Sequence, residues 1–357
     1  MAKSMTLEDQ FARLQPVRPE HDAARRIWTD RLAPELSSME TARKSALNRA
    51  FMYTIATVAF IAALTFSAII AVGFETIFPF GIFAAVLAAF VASAAVWMPV
   101  FTMKSQTKQL VVGAACEPFG FKYHTLHPDM DGVSGMRSLG SWLKVNRSGV
   151  FSNNNEPPTP AFDRLKSVGL MPSYDSRKFE DLIEGQRASA AFTLVECKLT
   201  EQQGSGKNRR TVTKFQGLLL NIEYPDRFLG RTLIARDGWW SWGRKNGMQK
   251  VDLVSKELED AFTVYSTDQV EARSLLTPDR MERLIALERH FKGAKLRGVF
   301  EDGHLTIALE AKDQFEAGSI FKPLMDPDRF IETLNEIGLV CDLIDGFLTR
   351  EWYKDKI

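Results

Sequence analysis

The densest group of chemically capable side chains lies in Tyr265-Ser266-Thr267-Asp268-Gln269-Val270-Glu271-Ala272-Arg273. Two carboxylates at this spacing could serve as general acid and base, and a nearby guanidinium could hold an anionic group. Asp268, Glu271 and Arg273 are therefore the catalytic candidates if the protein is an enzyme acting on a lipid or membrane-associated substrate. The same spacing suits an N-cap residue and its N3 partner, so the plainer reading is a capped strand-to-helix turn with an ion pair. A second group, Trp239, Trp240 and Trp242 followed by Arg244 and Lys245, could bind rather than react. Indoles beside two cations favour a membrane interface or a partner pocket. Alternation places Trp240 and Trp242 on one strand face, where they could equally fill the core.

Other motifs fall short of a site. Gly204-Ser205-Gly206-Lys207 suggests a phosphate loop, but Glu201 stands where the first glycine is required and Asn208 where Ser or Thr is required. It reads as a hairpin tip. His124, His127, Asp129 and Asp131 are metal-ligand types at no recognisable spacing, so neither a metal nor a cofactor is expected. No Gly-x-Ser-x-Gly elbow or His-Glu-x-x-His pair occurs. Cys116, Cys197 and Cys341 lie far apart, which excludes a disulfide framework. A net charge of +1 supplies no field for nucleic acid.

The elements that must position these residues begin with an unusual middle. The 357 residues have ordinary globular averages, 25% charged and 45% hydrophobic, yet between Ala50 and Met103 the one charge is Glu75. Each uncharged run exceeds the roughly 20 helical residues that span a bilayer. The expectation is a transmembrane helical hairpin over 50–103, with spans 51–74 and 80–100 and Pro79 opening the second. Hydrophobicity on every side argues against two buried core helices. Arg43, Lys44 and Arg49 precede the first span, Lys104 and Lys108 follow the second, and the connection has no Lys or Arg. Positive-inside bias puts both termini in the cytoplasm. Gly81, Ala85, Ala89 and Ser93 form a small-residue stripe for close helix packing, either on the first span or in a homo-oligomer.

Outside the hairpin, residues 1–49 read as a cytoplasmic helical segment broken by Pro16, Pro19 and Pro34, with a helix starting at Ser37 on capping-box spacing to Glu40. Arg25, Arg26 and Arg31 could lie on an anionic leaflet, or the segment could pack on the main domain. Residues 104–185 read as a juxtamembrane helix, Lys104 to Pro118, and a loop-rich region ending in Ser152 to Pro158. Residues 186–357 read as a cytoplasmic α+β domain of antiparallel strands with packed helices, strand texture starting near Ile183. Strands are expected at 191–199, 211–222, 231–236 and 262–265, with a hairpin at Asp302-Gly303. Thr277-Pro278-Asp279 opens a helix ended by Gly293. A last helix is expected from Asp328 to Ile337, stopped by Gly338, then a hairpin around Asp345-Gly346.

The stretch Val264 to Arg273, with Leu275-Leu276-Thr277-Pro278 and Met281-Glu282-Arg283-Leu284, resembles the bacterial family catalogued as domain of unknown function 3137. Phe215-Gln216-Gly217-Leu218-Leu219-Leu220 and Glu180-Asp181-Leu182-Ile183-Glu184-Gly185 look like two further blocks, and the likeness covers about residues 45–315. The resemblance implies a bacterial two-pass inner-membrane protein with a cytoplasmic α+β domain, names no catalytic residue, and suggests a LemA-like membrane protein as partner. Together the readings favour a membrane-anchored scaffold that binds a protein or the lipid surface, over an enzyme or an oligomeric assembly component.

Overall fold

The computed structural model describes residues 7–12, 14, 17–72, 80–126, 160–204, 209–224, 227–236, 247–253, 256–291, 295–311, 315 and 320–348. Among them the chain is α+β: two long apolar helices, then an antiparallel sheet with helices on both faces. The helices, Ala33–Val72 and Phe80–Cys116, are long and apolar enough to cross a membrane. Their apolar side chains face outward: Met52, Ile55, Phe60, Phe66, Phe83 and Phe90 are all exposed.

The first helix starts earlier than the capping-box spacing predicts. Glu20–Ile27 runs through a π-turn, Trp28–Leu32, directly into Ala33–Val72. The π-turn shifts the hydrogen-bond frame just before Pro34, so the proline does not end the helix. Glu40 does not close a capping box; it takes a bidentate hydrogen bond from Arg43 and accepts the Leu324 N–H. The N-terminal segment packs on the folded body, with Trp28, Leu32 and Leu36 buried and the Trp28 ring 5.5 Å from Phe330.

Strands β1 (Lys122–Thr125), β2 (Ser176–Arg187), β3 (Ala190–Gln203), β4 (Arg210–Glu223), β5 (Thr232–Arg236), β6 (Gln249–Lys250), β7 (Phe262–Ser266), β8 (Arg297–Glu301) and β9 (His304–Glu310) form one sheet. Its order is β1-β2-β3-β4-β9-β8-β5-β7-β6. Strand structure therefore begins ahead of the expected Ile183, with β1 at Lys122–Thr125 and β2 from Ser176, and β2 crosses residue 186. Alternation divides the central strands between two cores. Leu194, Leu218, Leu220, Ile307 and Leu309 face the helices Pro278–His290 and Asp328–Leu348. Val195, Cys197, Leu199, Phe215 and Leu219 face the short helix Pro160–Ser167. The β8–β9 turn has Asp302 at φ 51° and Gly303 at φ 71°, the left-handed pair that a two-residue type I′ hairpin needs.

The expected stop at Gly338 and hairpin at Asp345-Gly346 are both overturned: Asp328–Leu348 is one helix. Phe330, Leu334, Ile337, Cys341, Ile344 and Leu348 are buried at steps of three and four, and this period passes through both glycines without a break. The glycines make room instead of a cap. A Cβ at Gly338 would lie 2.6 Å from Arg18 Nε, and one at Gly346 2.1 Å from Arg283 Cδ. Arg18 forks onto Asp342, while Arg283 donates to Asp279 and to the Asp342 carbonyl. Arg187 adds Asp345 and Glu20 within 3.0 Å. Helix propensity alone predicts that Gly338→Ala stabilises by about 1 kcal/mol. Displacement of Arg18 predicts the opposite, a loss of about 1–3 kcal/mol, read by thermal unfolding in detergent.

Candidate functional site

Where the second long helix enters the folded body, adjacent residues face two different polar features. Lys108 turns toward the sheet and Thr107 toward the first helix and the C-terminal helix. Lys108 Nζ lies 2.7 Å from Asp181 Oδ2 on β2, and the Tyr123 hydroxyl on β1 donates to Asp181 Oδ1 at 2.7 Å. Glu196 on β3 is electrostatically coupled to the same acid. Asp181 and Glu196 are almost fully buried, so this is a carboxylate, a carboxylic acid, a lysine and a phenol at one junction. Burial first, then Asp181, pushes the Glu196 carboxyl up to about 9, with Glu180 adding and Lys108 opposing. Burial and Asp181 likewise push the Tyr123 phenol upward. A β-bulge between Phe179 and Leu182 aims Asp181 at this cluster.

Thr107 lines a pocket of about 190 Å³ with Trp28, Leu36, Val111 and Phe330 as apolar floor and Lys322, Arg329, Asp326 and Glu332 as charged lining. Its hydroxyl is buried and makes no hydrogen bond among the described residues. The arrangement can receive a small amphiphilic group, with both signs of charge in the lining.

The sequence-predicted residues fall elsewhere. Asp268 caps the helix Gln269–Leu275, its Oδ1 accepting from the Val270 and Glu271 N–H groups at 2.9 and 3.0 Å. Glu271 accepts the Leu229 and Gly230 N–H groups at 2.7 and 2.9 Å. Arg273 meets neither acid; it donates to Gln269 at 3.4 Å on the surface. Thr267 Oγ1 accepts the Arg231 N–H, so the whole motif ties β5, β7 and the helix start together. Trp239, Trp240, Trp242, Arg244 and Lys245 lie outside the described residues, as do His127, Asp129, Asp131, the Ser152–Pro158 stretch and residues 205–208. Of the small-residue stripe, Ala85, Ala89 and Ser93 are half-buried and Gly81 is exposed. They fall on the side packed against the first helix, where Thr54, Ile61 and Thr65 are also half-buried.

Lys108, Asp181, Glu196 and Thr107 did not emerge from motifs. The available signal was a charge at an inward position of an otherwise apolar strand, Glu196 two residues after Leu194.

Residues 213–348 match the family described as Protein of unknown function (DUF3137). The match supports membership of that family for the part of the chain it covers. The blocks Phe215–Leu220 and Val264–Leu284 fall within the DUF3137 match; Glu180–Gly185 and both apolar helices precede it. The match runs past Asp328 through the C-terminal helix, where the sequence alone showed no family block. Fold explains two of these blocks. Tyr265–Arg273 is the self-capping tie just described, and at Gly217 a Cβ would lie 2.0 Å from the Leu309 carbonyl of β9. No curated protein matches the chain. Among solved structures, the crystal structure of the mycobacterial trehalose monomycolate transport factor A, TtfA, is similar at a TM-score of 0.31 and 11% identity. The likeness covers 68% of this chain and 95% of that one.

Two outcomes test the junction. Glu196 keeps its proton in the fold up to about 9, whereas an unfolded carboxyl releases it near 4.5. Its contribution to stability is therefore full below pH 4.5 and falls as pH rises toward 9. Glu196→Gln is expected to flatten the fall between pH 7 and 9, measured by denaturant unfolding in detergent; an unchanged slope would show that the acid is not protonated there. Thr107→Val, isosteric and without the orphaned hydroxyl, is expected to raise stability by about 1 kcal/mol in thermal unfolding.

Proposed function

We propose that this is a membrane-anchored, non-enzymatic scaffold of the bacterial inner membrane, its folded domain and both termini cytoplasmic, which binds a protein partner or the lipid surface. The observation that carries it is the placement of apolar surface. Along both uncharged runs large side chains stand exposed, while the same two helices continue into a close-packed core at Leu36, Val111, Val112 and Cys116. A water-soluble protein does not leave so long an apolar face uncovered, and lipid covers it without further partners. Lys44, Arg49 and Lys104 at the domain end, with no Lys or Arg in 73–79, support the orientation.

The pocket at the helix roots is the concave feature that a partner segment would enter. Catalysis by Asp268, Glu271 and Arg273 draws no support from the geometry, because both carboxylates are engaged by backbone amides and the arginine is not beside them. Half-burial of Ala85, Ala89 and Ser93 supports packing of the stripe within the chain over oligomer assembly.

Fractionation tests the anchor. The full-length protein is expected in the membrane pellet, resistant to alkaline carbonate and released by detergent. A tag after Ile357 is expected to stay unlabelled by an impermeant reagent on sealed spheroplasts. Recovery in the supernatant would remove the anchor, and labelling of the tag would reverse the topology.

A further inference from the structure

We propose that the segment Ile320–Lys322 is a third membrane contact, a foot whose Phe321 side chain enters the lipid interface beside the helix pair and holds the domain against the bilayer. The inference rests on the membrane-anchor reading and adds a surface to it. Phe321 lies some 205 residues beyond the second long helix in sequence, yet its ring centroid is 6.3 Å from Phe51 and 6.3 Å from Trp97. Those two rings meet edge to face at 5.1 Å, and Trp97 Nε1 donates to Thr54 Oγ1 across the helix pair. Phe51 opens the first apolar run and Trp97 lies near the end of the second. Contact with both fixes the depth of Phe321 along the helices: it sits at the level where the apolar runs end. Aromatic rings concentrate at that level of a bilayer.

The composition of the segment agrees with this placement. Phe321 is 59% exposed, and Phe101, one helical turn beyond Trp97, is also exposed. These two rings continue the outward apolar surface of the helix pair, so the occupant that covers the helices covers the foot as well. Lys322, next to Phe321, is exposed and makes no ion pair among the described residues, which suits a lipid phosphate. The foot is also held in place before it meets lipid. Arg43 Nη1 donates to the Ile320 carbonyl at 2.5 Å, and the Leu324 N–H donates to Glu40 at 3.1 Å. Glu40, held down to about 2 chiefly by its hydrogen bonds from Arg43, keeps its charge across the physiological range. Preorganisation of this kind lowers the entropy lost on insertion.

Site-directed spin labelling of the full-length protein in phosphatidylcholine/phosphatidylglycerol vesicles tests the foot. Cys116, Cys197 and Cys341 are buried, and burial pushes their thiols upward, so an introduced cysteine takes the label selectively. Labels are placed by Phe321→Cys, Phe60→Cys and Leu229→Cys in separate chains. Collisions with oxygen are expected to outweigh those with a water-soluble nickel chelate at Phe60→Cys and Phe321→Cys, with the reverse at Leu229→Cys. A water-exposed label at Phe321→Cys, beside a lipid-exposed one at Phe60→Cys, would overturn the foot and leave the anchor standing. A water-exposed label at Phe60→Cys would defeat the anchor and the foot together. Spin–spin broadening at Phe321→Cys that disappears on dilution with unlabelled protein would show a second copy on this face and overturn the lipid assignment.

Discussion

Two helices of 40 and 37 residues must be apolar and uncovered along one part of their length and close-packed along the rest. That constraint governs the whole molecule. Helices that end in a loop below a domain would leave the domain free to swivel; these continue as part of its core, with Leu36, Val111 and Cys116 against Phe330, Ile337 and Cys341. The sheet is then built outward from the helix roots. β1 follows the second helix after one short turn, and β2 and β3 pair onto it in order.

The polar groups at the roots follow from the same constraint. A lysine entering a core needs a counter-charge, since an unpaired buried charge costs several kcal/mol. Lys108 finds it in Asp181, which also accepts from the Tyr123 hydroxyl, and burial beside Asp181 pushes the neighbouring Glu196 carboxyl toward its neutral form. Three further arginines form pairs for a different purpose. Arg18, Arg187 and Arg283 bind the C-terminal helix to the N-terminal segment, to β2 and to the helix Pro278–His290. N- and C-terminal parts of the chain thus close on each other over the helix roots. Glu40 and Arg43 add the segment at 320–324 to the first helix.

The family blocks are best understood as architecture. Ser266, Thr267, Asp268 and Glu271 satisfy backbone amides at a crowded corner where β5, β7 and a helix start converge, a place where unsatisfied N–H groups would be costly. Gly217 permits the close approach of β9. One backbone geometry requires residues of this kind, and they need not touch a substrate.

Local signals were legible without coordinates: two uncharged runs, alternation in β3 and β4, the Asp302-Gly303 turn, the Thr277-Pro278 helix start and the cap at Asp268 all report short-range preferences that a chain expresses wherever it packs. Gly338 and Gly346 misled for the same reason, because a glycine by itself favours a helix end, and only the arginines lying across them from distant segments reveal why they are small. Lys108, Asp181 and Glu196 carry no motif, being far apart in sequence and joined only by strand pairing and a bulge. Phe321 beside Trp97 is likewise invisible in the string. The amino-acid order by itself determined which stretches are apolar, which turn and which pair into hairpins. Which charges share a burial site, and which late residue returns to the helix roots, was decided by tertiary packing, because those contacts depend on where the folded sheet and helices bring remote side chains together.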